Sequence, residues 1–339
     1  MFILQKGDLV AVVAIYVDDK VLVGHPELVN YVRSALSGRF PMKDLGPARS
    51  LLGVQIICDR MNRTLSLKQG GFIRKILSCY GMQDCSASPT PMEVNLDLPK
   101  LPSTPPEALK FPYQSAIGKL LYLALGTRPD IAFVVTYLSR FVTGYDQRHW
   151  KALLRVLHYR KGTPDYGVTY GPSAEDPLIL HGAGDSDWGG DTIERKSVTG
   201  YFFFLGGGPI SWKTRKQSTV ALSSTEAEYL SATDSAKQAI YHRNFLNEIG
   251  LPQPSPTIIK ADNQGAIAIS QNPCKHERTK HFDIRHHFIR EKVMKGVLKL
   301  EYLPTTEMVA DILTKALPRV KFEQFRDDAC VFHISDSKG

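Results

Sequence analysis

The sequence predicts an α+β front piece, a helical middle and, in the last third, a mixed sheet flanked by helices. Three observations carry this reading. Two β-rich runs near the start are joined by a carboxylate-bearing turn, a proline-dense stretch runs from Ser86 to Pro112, and a strand hairpin after Leu178 is followed by alternating helices and strands. The 339 residues exceed one average domain, and 43% hydrophobic with 22% charged is the composition of an ordinary folded protein. Forty-two Lys and Arg against 34 Asp and Glu leave a net charge of +8, which excludes a disordered polyelectrolyte and suits a protein that meets a polyanion.

In chain order, Leu9 to Ile15 and Lys20 to Gly24 read as strands, and Pro26 to Leu36 and Gly71 to Tyr80 as helices. Between Ser86 and Pro112 lie seven of the 21 prolines, a density that stops both a helix and a central strand, so this segment is a linker or an extended crossover. Tyr113 to Leu125, Pro129 to Phe141 and Trp150 to Tyr159 carry apolar residues at helical spacing. Strands then follow at Ser197 to Leu205 and Ile210 to Trp212 around Gly206-Gly207-Gly208. Next come a long helix from Ser223 to Ile249, a strand Thr257 to Ala261, further helices and a strand Leu298 to Leu303. The predicted boundaries are 1–88, 89–172, 173–320 and a tail 321–339, and a piece beginning near residue 173 is expected to be more soluble than the whole.

The apolar run from Leu9 to Val17 ends at Asp18 and is too short to span a bilayer or to act as a signal peptide. Five scattered cysteines without a Cys-x-x-Cys pair argue against a disulfide framework and a zinc ribbon. The chain therefore reads as intracellular, with reduced thiols and no membrane partner.

Four acidic residues stand where predicted elements end: Asp185, Glu226, Asp262 and Asp311. Carboxylates gathered in one cleft repel each other unless cations sit between them, and two Mg²⁺ (or Mn²⁺) ions satisfy that in phosphodiester cleavage. Each residue has a plainer explanation. Ser223 to Glu226 is also a capping box, Asp185 and Asp187 could be turn residues before Gly189, and Asp262-Asn263 could cap the next helix.

Their order and surroundings carry more. Asp185-Ser186-Asp187-Trp188, Arg195 to Tyr201, Ser223 to Tyr229, Ala261 to Gln264, Lys280 to Phe288 and Ala310 to Lys315 together resemble the RNase H domain that closes the Pol polyprotein of copia-type LTR retrotransposons. The resemblance implies an α/β RNase H-like domain with a mixed five-stranded sheet. It also implies a metal site of Asp185, Glu226, Asp262 and Asp311 with two ions, Asp187 being the alternate for the first, and cleavage of RNA in RNA–DNA hybrids. The front resembles the end of the same polyprotein's reverse transcriptase: Tyr16-Val17-Asp18-Asp19 matches its YVDD box, Met42 to Gly46 and Leu51 to Val54 its palm, and Tyr113 to Gly118 with Thr127 to Ile131 its connection. That makes the front an α+β palm and thumb remnant. Fingers and an earlier palm strand would precede Met1, so Asp18 and Asp19 are expected to be a vestigial polymerase pair. The remainder of a Pol polyprotein is a possible partner.

From Lys275 to Lys299 there are eight Lys or Arg against three acidic residues. The run is either a solvated helix face or a surface that tracks a nucleic-acid backbone, with Lys280 and Arg285 its candidate contacts, helped by Lys213, Arg215 and Lys216. The alternatives to a nuclease are an idle nucleic-acid-binding relic of a decayed element and a polymerase fragment completed by a separate fingers domain.

Overall fold

The computed structural model describes residues 1–172, 178–191, 194–271 and 280–335, and the side chains of 280–286 lie outside that description. The front unit is an antiparallel sheet of β1 (Phe2–Lys6), β2 (Leu9–Tyr16) and β3 (Asp19–Gly24), in that order, with α1 (Pro26–Ser37) laid over it. Alternate residues Ala11 and Val13 of β2 face Leu28 of α1, and these three are its buried apolar residues. Gly24, at φ +146°, crosses β2 so closely that a Cβ would stand 2.3 Å from the Val10 carbonyl, which restricts the position to glycine.

There follow β4 (Ser50–Leu51), β5 (Val54–Asp59), β6 (Thr64–Lys68) and α2 (Gly70–Cys79). The proline-dense stretch runs without helix or strand except for a 3₁₀ turn at Pro106–Ala108, as a lack of backbone donors dictates. Three helices come next: α3 (Tyr113–Gly126), α4 (Ala132–Ser139) and α5 (Gln147–Gly162), and then β7 (Tyr166–Tyr170). Asp146 caps α5 by accepting from the Arg148 N–H at 2.8 Å. The chain continues through β8 (His181–Asp187), β9 (Val198–Leu205), β10 (Gly208–Lys216), α6 (Ser224–Glu248), β11 (Thr257–Ala261), α7 (Gln264–Gln271), α8 (Lys280–Met294), β12 (Leu298–Tyr302), α9 (Arg319–Asp328) and β13 (Val331–His333).

Two five-stranded sheets result. One runs β13-β7-β6-β5-β4, all antiparallel, and so joins strands from the front, the middle and the end of the chain. The other runs β10-β9-β8-β11-β12, with β8, β9 and β10 antiparallel and β11 and β12 parallel to β8. This is the expected mixed sheet flanked by helices. The segment set apart as a tail supplies α9, whose Phe322 and Phe325 are buried, and β13, whose Val331 pairs with Val168.

The run Val198 to Leu205 is buried over its first six residues because both faces of the mixed sheet are covered. Tyr201 and Phe203 pack with Tyr229, Ala232, Ala236 and Ala239 of α6. Phe202 and Ala183 point the other way, into a core shared with Leu120, Val135, Leu138 and Leu157 of the middle helices. The indole N–H of Trp212 donates to the Ala124 carbonyl at 2.8 Å, which ties β10 to α3. No helix among the described residues is long and apolar enough to cross a membrane.

Candidate active site

The stripe of small residues on α6 decides how closely that helix lies on the sheet. Gly184 of β8 faces Ser235, and a Cβ on Gly184 would come within 2.7 Å of the Ser235 hydroxyl oxygen. The Ser231 hydroxyl donates to the Asp185 carbonyl at 2.7 Å, so helix and strand are joined one residue along. On an α-helix, positions three, four and seven apart share a face. Ser231, Ala232 and Ser235 stand at those distances after Glu228, which puts Glu228 on the sheet side over the carboxyl end of β8. Its Oε1 accepts from the Ser186 N–H at 3.2 Å.

Asp185, Glu228 and Asp262 each offer a carboxylate oxygen, and these atoms all lie within 4.8 Å of one another. Asp185 and Glu228 are buried, while Asp262, one residue beyond β11, is half-buried and accepts from the Thr305 hydroxyl at 2.8 Å. Among the described residues this is the one group of three such ligands. Glu226 does not join it. Two helical residues turn the side chain by about 200°, so Glu226 faces away from the sheet and caps the helix: its Oε2 accepts from the Leu222 N–H at 2.7 Å, and its own N–H donates to Ser223 Oγ at 3.1 Å. The helical carboxylate of the cluster is therefore Glu228, a correction to the sequence expectation. The phase of the Ser231, Ala232 and Ser235 stripe was the signal that could have found it.

Asp311 is fully buried beside the cluster in a 3₁₀ turn, Val309–Leu313, but its carboxylate is held by two lysines. Lys321 donates to Oδ2 at 2.8 Å, and Lys315 Nζ stands 3.0 Å from Oδ1. The same Lys315 ammonium is 3.7 Å from Asp185 Oδ2, which also accepts from the Thr314 hydroxyl. Asp187, two residues after Asp185, is half-buried and sits against Gly190, where a Cβ would collide with its carboxylate.

Burial pushes the Asp185 carboxyl up, and Asp311 and Asp262 add to it against the opposing pull of Lys315 and Thr314. Burial, then Asp185 and Asp262, push Glu228 up in the same way. Asp187 is raised by burial, with Lys315 opposing. For Lys315 burial works against the charge, yet Asp185 and Asp311 outweigh it and the net shift is upward. These shifts share one cause, carboxylates crowded out of water with too little positive charge among them.

The donor set is all oxygen, which suits a hard divalent cation such as Mg²⁺ or Mn²⁺. Asp185, Glu228 and Asp262 fit one ion. Between Asp185 and Asp311 stands the Lys315 ammonium.

Of the cations expected to meet nucleic acid, Lys213 and Arg215 are exposed on β10, and Arg215 pairs with Asp234 of α6. Lys216 turns to the opposite face by the strand's alternation and binds Asp191 at 2.9 Å and Glu194 at 3.0 Å. Lys280 and Arg285 fall in α8, and their side chains, like residues 272–279 of the basic run, lie outside the described residues. Asp18 and Asp19 lie exposed at the β2–β3 turn, where Val17 takes φ +51°, and no third ligand among the described residues joins them.

A family model for reverse transcriptase (RNA-dependent DNA polymerase) matches residues 1–94. The chain is 43% identical over 318 residues to the retrovirus-related Pol polyprotein from transposon TNT 1-94 of Nicotiana tabacum, which covers 92% of this chain and 24% of that protein. It is 36% identical to the corresponding polyprotein from transposon RE2 of Arabidopsis thaliana, over 100% of this chain and 23% of that one. It therefore spans about a quarter of the length of these polyproteins. The putative transposon Ty5-1 protein YCL074W of Saccharomyces cerevisiae is 30% identical, over 67% of this chain and 73% of its own length.

Proposed function

The chain belongs to the Pol polyprotein family of copia-type retrotransposons, and from that premise we propose that its last third is a metal-dependent ribonuclease that hydrolyses the RNA strand of RNA–DNA hybrids. One observation carries the reading: Asp185, Glu228 and Asp262 converge within 4.8 Å at the carboxyl ends of β8 and β11. When bound there, divalent ions supply an activated water and a counter-charge for the leaving oxygen. The chain's own residues do the positioning. The Ser186 N–H holds Glu228, the Thr305 hydroxyl holds Asp262, and the Thr314 hydroxyl holds Asp185. The half-buried Lys315 ammonium keeps positive charge beside Asp185 and faces the cleft where a phosphoryl oxygen would arrive.

The test is cleavage of a labelled hybrid by the purified chain. Activity is expected with Mg²⁺ or Mn²⁺ and not with Ca²⁺, and Asp262→Asn is expected to abolish cleavage while hybrid binding persists. Full activity in that variant would remove the proposal. A second reading, hybrid binding without cleavage, draws on the Asp311 carboxylate being engaged by Lys315 and Lys321. Binding with no cleavage under any divalent ion is its signature. The exposed Asp18 and Asp19 pair is proposed to be chemically silent in this chain, since phosphoryl transfer needs further carboxylates around its ions.

A further inference from the structure

Three large apolar side chains stand in solvent beside the carboxylate cluster: Trp188 is 54% exposed, Val220 47% and Leu222 85%. Trp188 is the most exposed of the three tryptophans and follows Asp185 by three residues. At about 3.3 Å per residue its Cα lies within about 10 Å of the Asp185 Cα. One contact brings the three together. The Trp188 indole N–H donates to the Ala221 carbonyl at 3.1 Å, between Val220 and Leu222.

The backbone beneath these side chains is fixed at both ends. Gln217 is buried, and its N–H donates to the Ser197 carbonyl at 2.8 Å. Its Nε2 stands 3.0 Å from the Thr199 hydroxyl and the Ala227 carbonyl and 3.3 Å from the Ser186 hydroxyl, which ties the segment to β8, β9 and α6. Ala221 is buried, and the Leu222 N–H donates to Glu226 Oε2 at 2.7 Å. On the strand side, the Gly189 N–H donates to the hydroxyl of the buried Ser197 at 3.2 Å. The apolar side chains therefore meet water on a scaffold that is already ordered, which lowers the entropy cost of placing a partner against them.

Trp188 lies within the footprint of a duplex that has one phosphate at the carboxylates, since about three base steps cover about 10 Å. In a duplex the base faces are stacked inside, so a flat apolar ring there meets sugars and groove edges. An RNA–DNA hybrid has A-form geometry, whose minor groove is wide and shallow, whereas that of B-form DNA is only about 6 Å wide. An indole fits the first and is kept out of the second. We propose that Trp188, flanked by Leu222, packs into the shallow groove of the hybrid beside the phosphate to be cleaved and makes the site prefer a hybrid to a DNA duplex. The assignment rests on the nuclease reading and adds a selectivity that carboxylates acting at a phosphate do not supply.

Acrylamide quenching of tryptophan fluorescence and binding titrations in Ca²⁺ test this, with a short hybrid and a DNA duplex of the same sequence as probes. The hybrid is expected to shield the accessible indole, and Trp188→Phe to remove most of the accessible emission. Trp188→Ala is expected to weaken hybrid binding at least tenfold while DNA duplex binding changes less than twofold. Leu222→Ser alters a side chain that stands almost wholly in water, is expected to weaken the hybrid selectively by a fewfold, and decides the matter if Trp188→Ala does not fold. Unchanged hybrid affinity, equal losses for the two duplexes or an indole left unshielded overturns the proposal. Cleavage by a chain whose hybrid affinity ignores Trp188→Ala sinks this contact and leaves the nuclease, and selective shielding of Trp188 without cleavage does the reverse.

Discussion

Lys315 Nζ stands 3.0 Å from Asp311 Oδ1 in the interior of the protein, and the same ammonium reaches within 3.7 Å of Asp185. Burial disfavours the charge on Lys315, and the carboxylates of Asp185 and Asp311 outweigh it, while the same ammonium pulls against the burial that raises Asp185. The pair thus marks where the fold calls for positive charge beyond what Asp185, Glu228 and Asp262 can share.

Glu226 and Glu228 separate the two roles of the start of α6. Glu228→Gln is expected to reduce hybrid cleavage by more than the roughly 10–100-fold that follows loss of a metal ligand's partner. Glu226→Gln is expected to leave cleavage within a fewfold and stability within about 0.5 kcal/mol, because glutamine still accepts the Leu222 N–H and the Ser223 cap is unchanged. Steady-state cleavage rates and thermal unfolding of both variants check this, and equal loss of cleavage in the two would defeat the assignment.

Stability should fall as pH rises when no divalent ion is present. Asp185 and Glu228 have folded-state values raised above those of the unfolded chain, so the native state binds more protons between the two. Their contribution is fully present below the unfolded carboxyl range and is lost as pH climbs through the raised values. Midpoints of thermal unfolding measured from acid to neutral pH in chelator should show this slope, and Glu228→Gln should flatten it. Added Mg²⁺ is expected to restore stability at neutral pH. A stability that rises over that range in chelator and is unaffected by the variant would contradict the crowding described above.

Lys213 projects from β10 into solvent, whereas Arg215 beside it is already paired with Asp234. Lys213→Ala is expected to weaken hybrid binding by a similar factor for every sequence and to reduce the slope of log affinity against log salt by about one. An unchanged slope in binding titrations over several salt concentrations would take Lys213 off the interface.

A piece beginning near residue 173 would uncover Phe202 and Ala183, which are buried against the middle helices, together with Trp212. Exposed apolar patches of that kind drive association. Contrary to the expectation from sequence, such a piece is expected to be less soluble than the full chain, and light scattering of the two at equal concentration decides it.

Local pattern alone was enough to read the β2–β3 hairpin, the helices of the middle section, the apolar strands and the two strand-end carboxylates Asp185 and Asp262. Each depends on spacing within a few residues, which the periods of strand and helix impose directly. The choice between Glu226 and Glu228 was also written in a local phase, but the Ser223 to Glu226 capping pattern competes for the same residues, and only the packing of Gly184 against Ser235 shows which face meets the sheet. Tertiary structure alone decided the rest. A buried strand such as β9 records that both faces are covered and not by what, and the pairing of Val331 with Val168, the reach of Lys315 to Asp185, and the cavity that Arg140 and Asp187 both line all join residues distant in sequence. Such contacts come from the burial that the whole chain achieves at once, and burial is a property of the assembled core rather than of any segment.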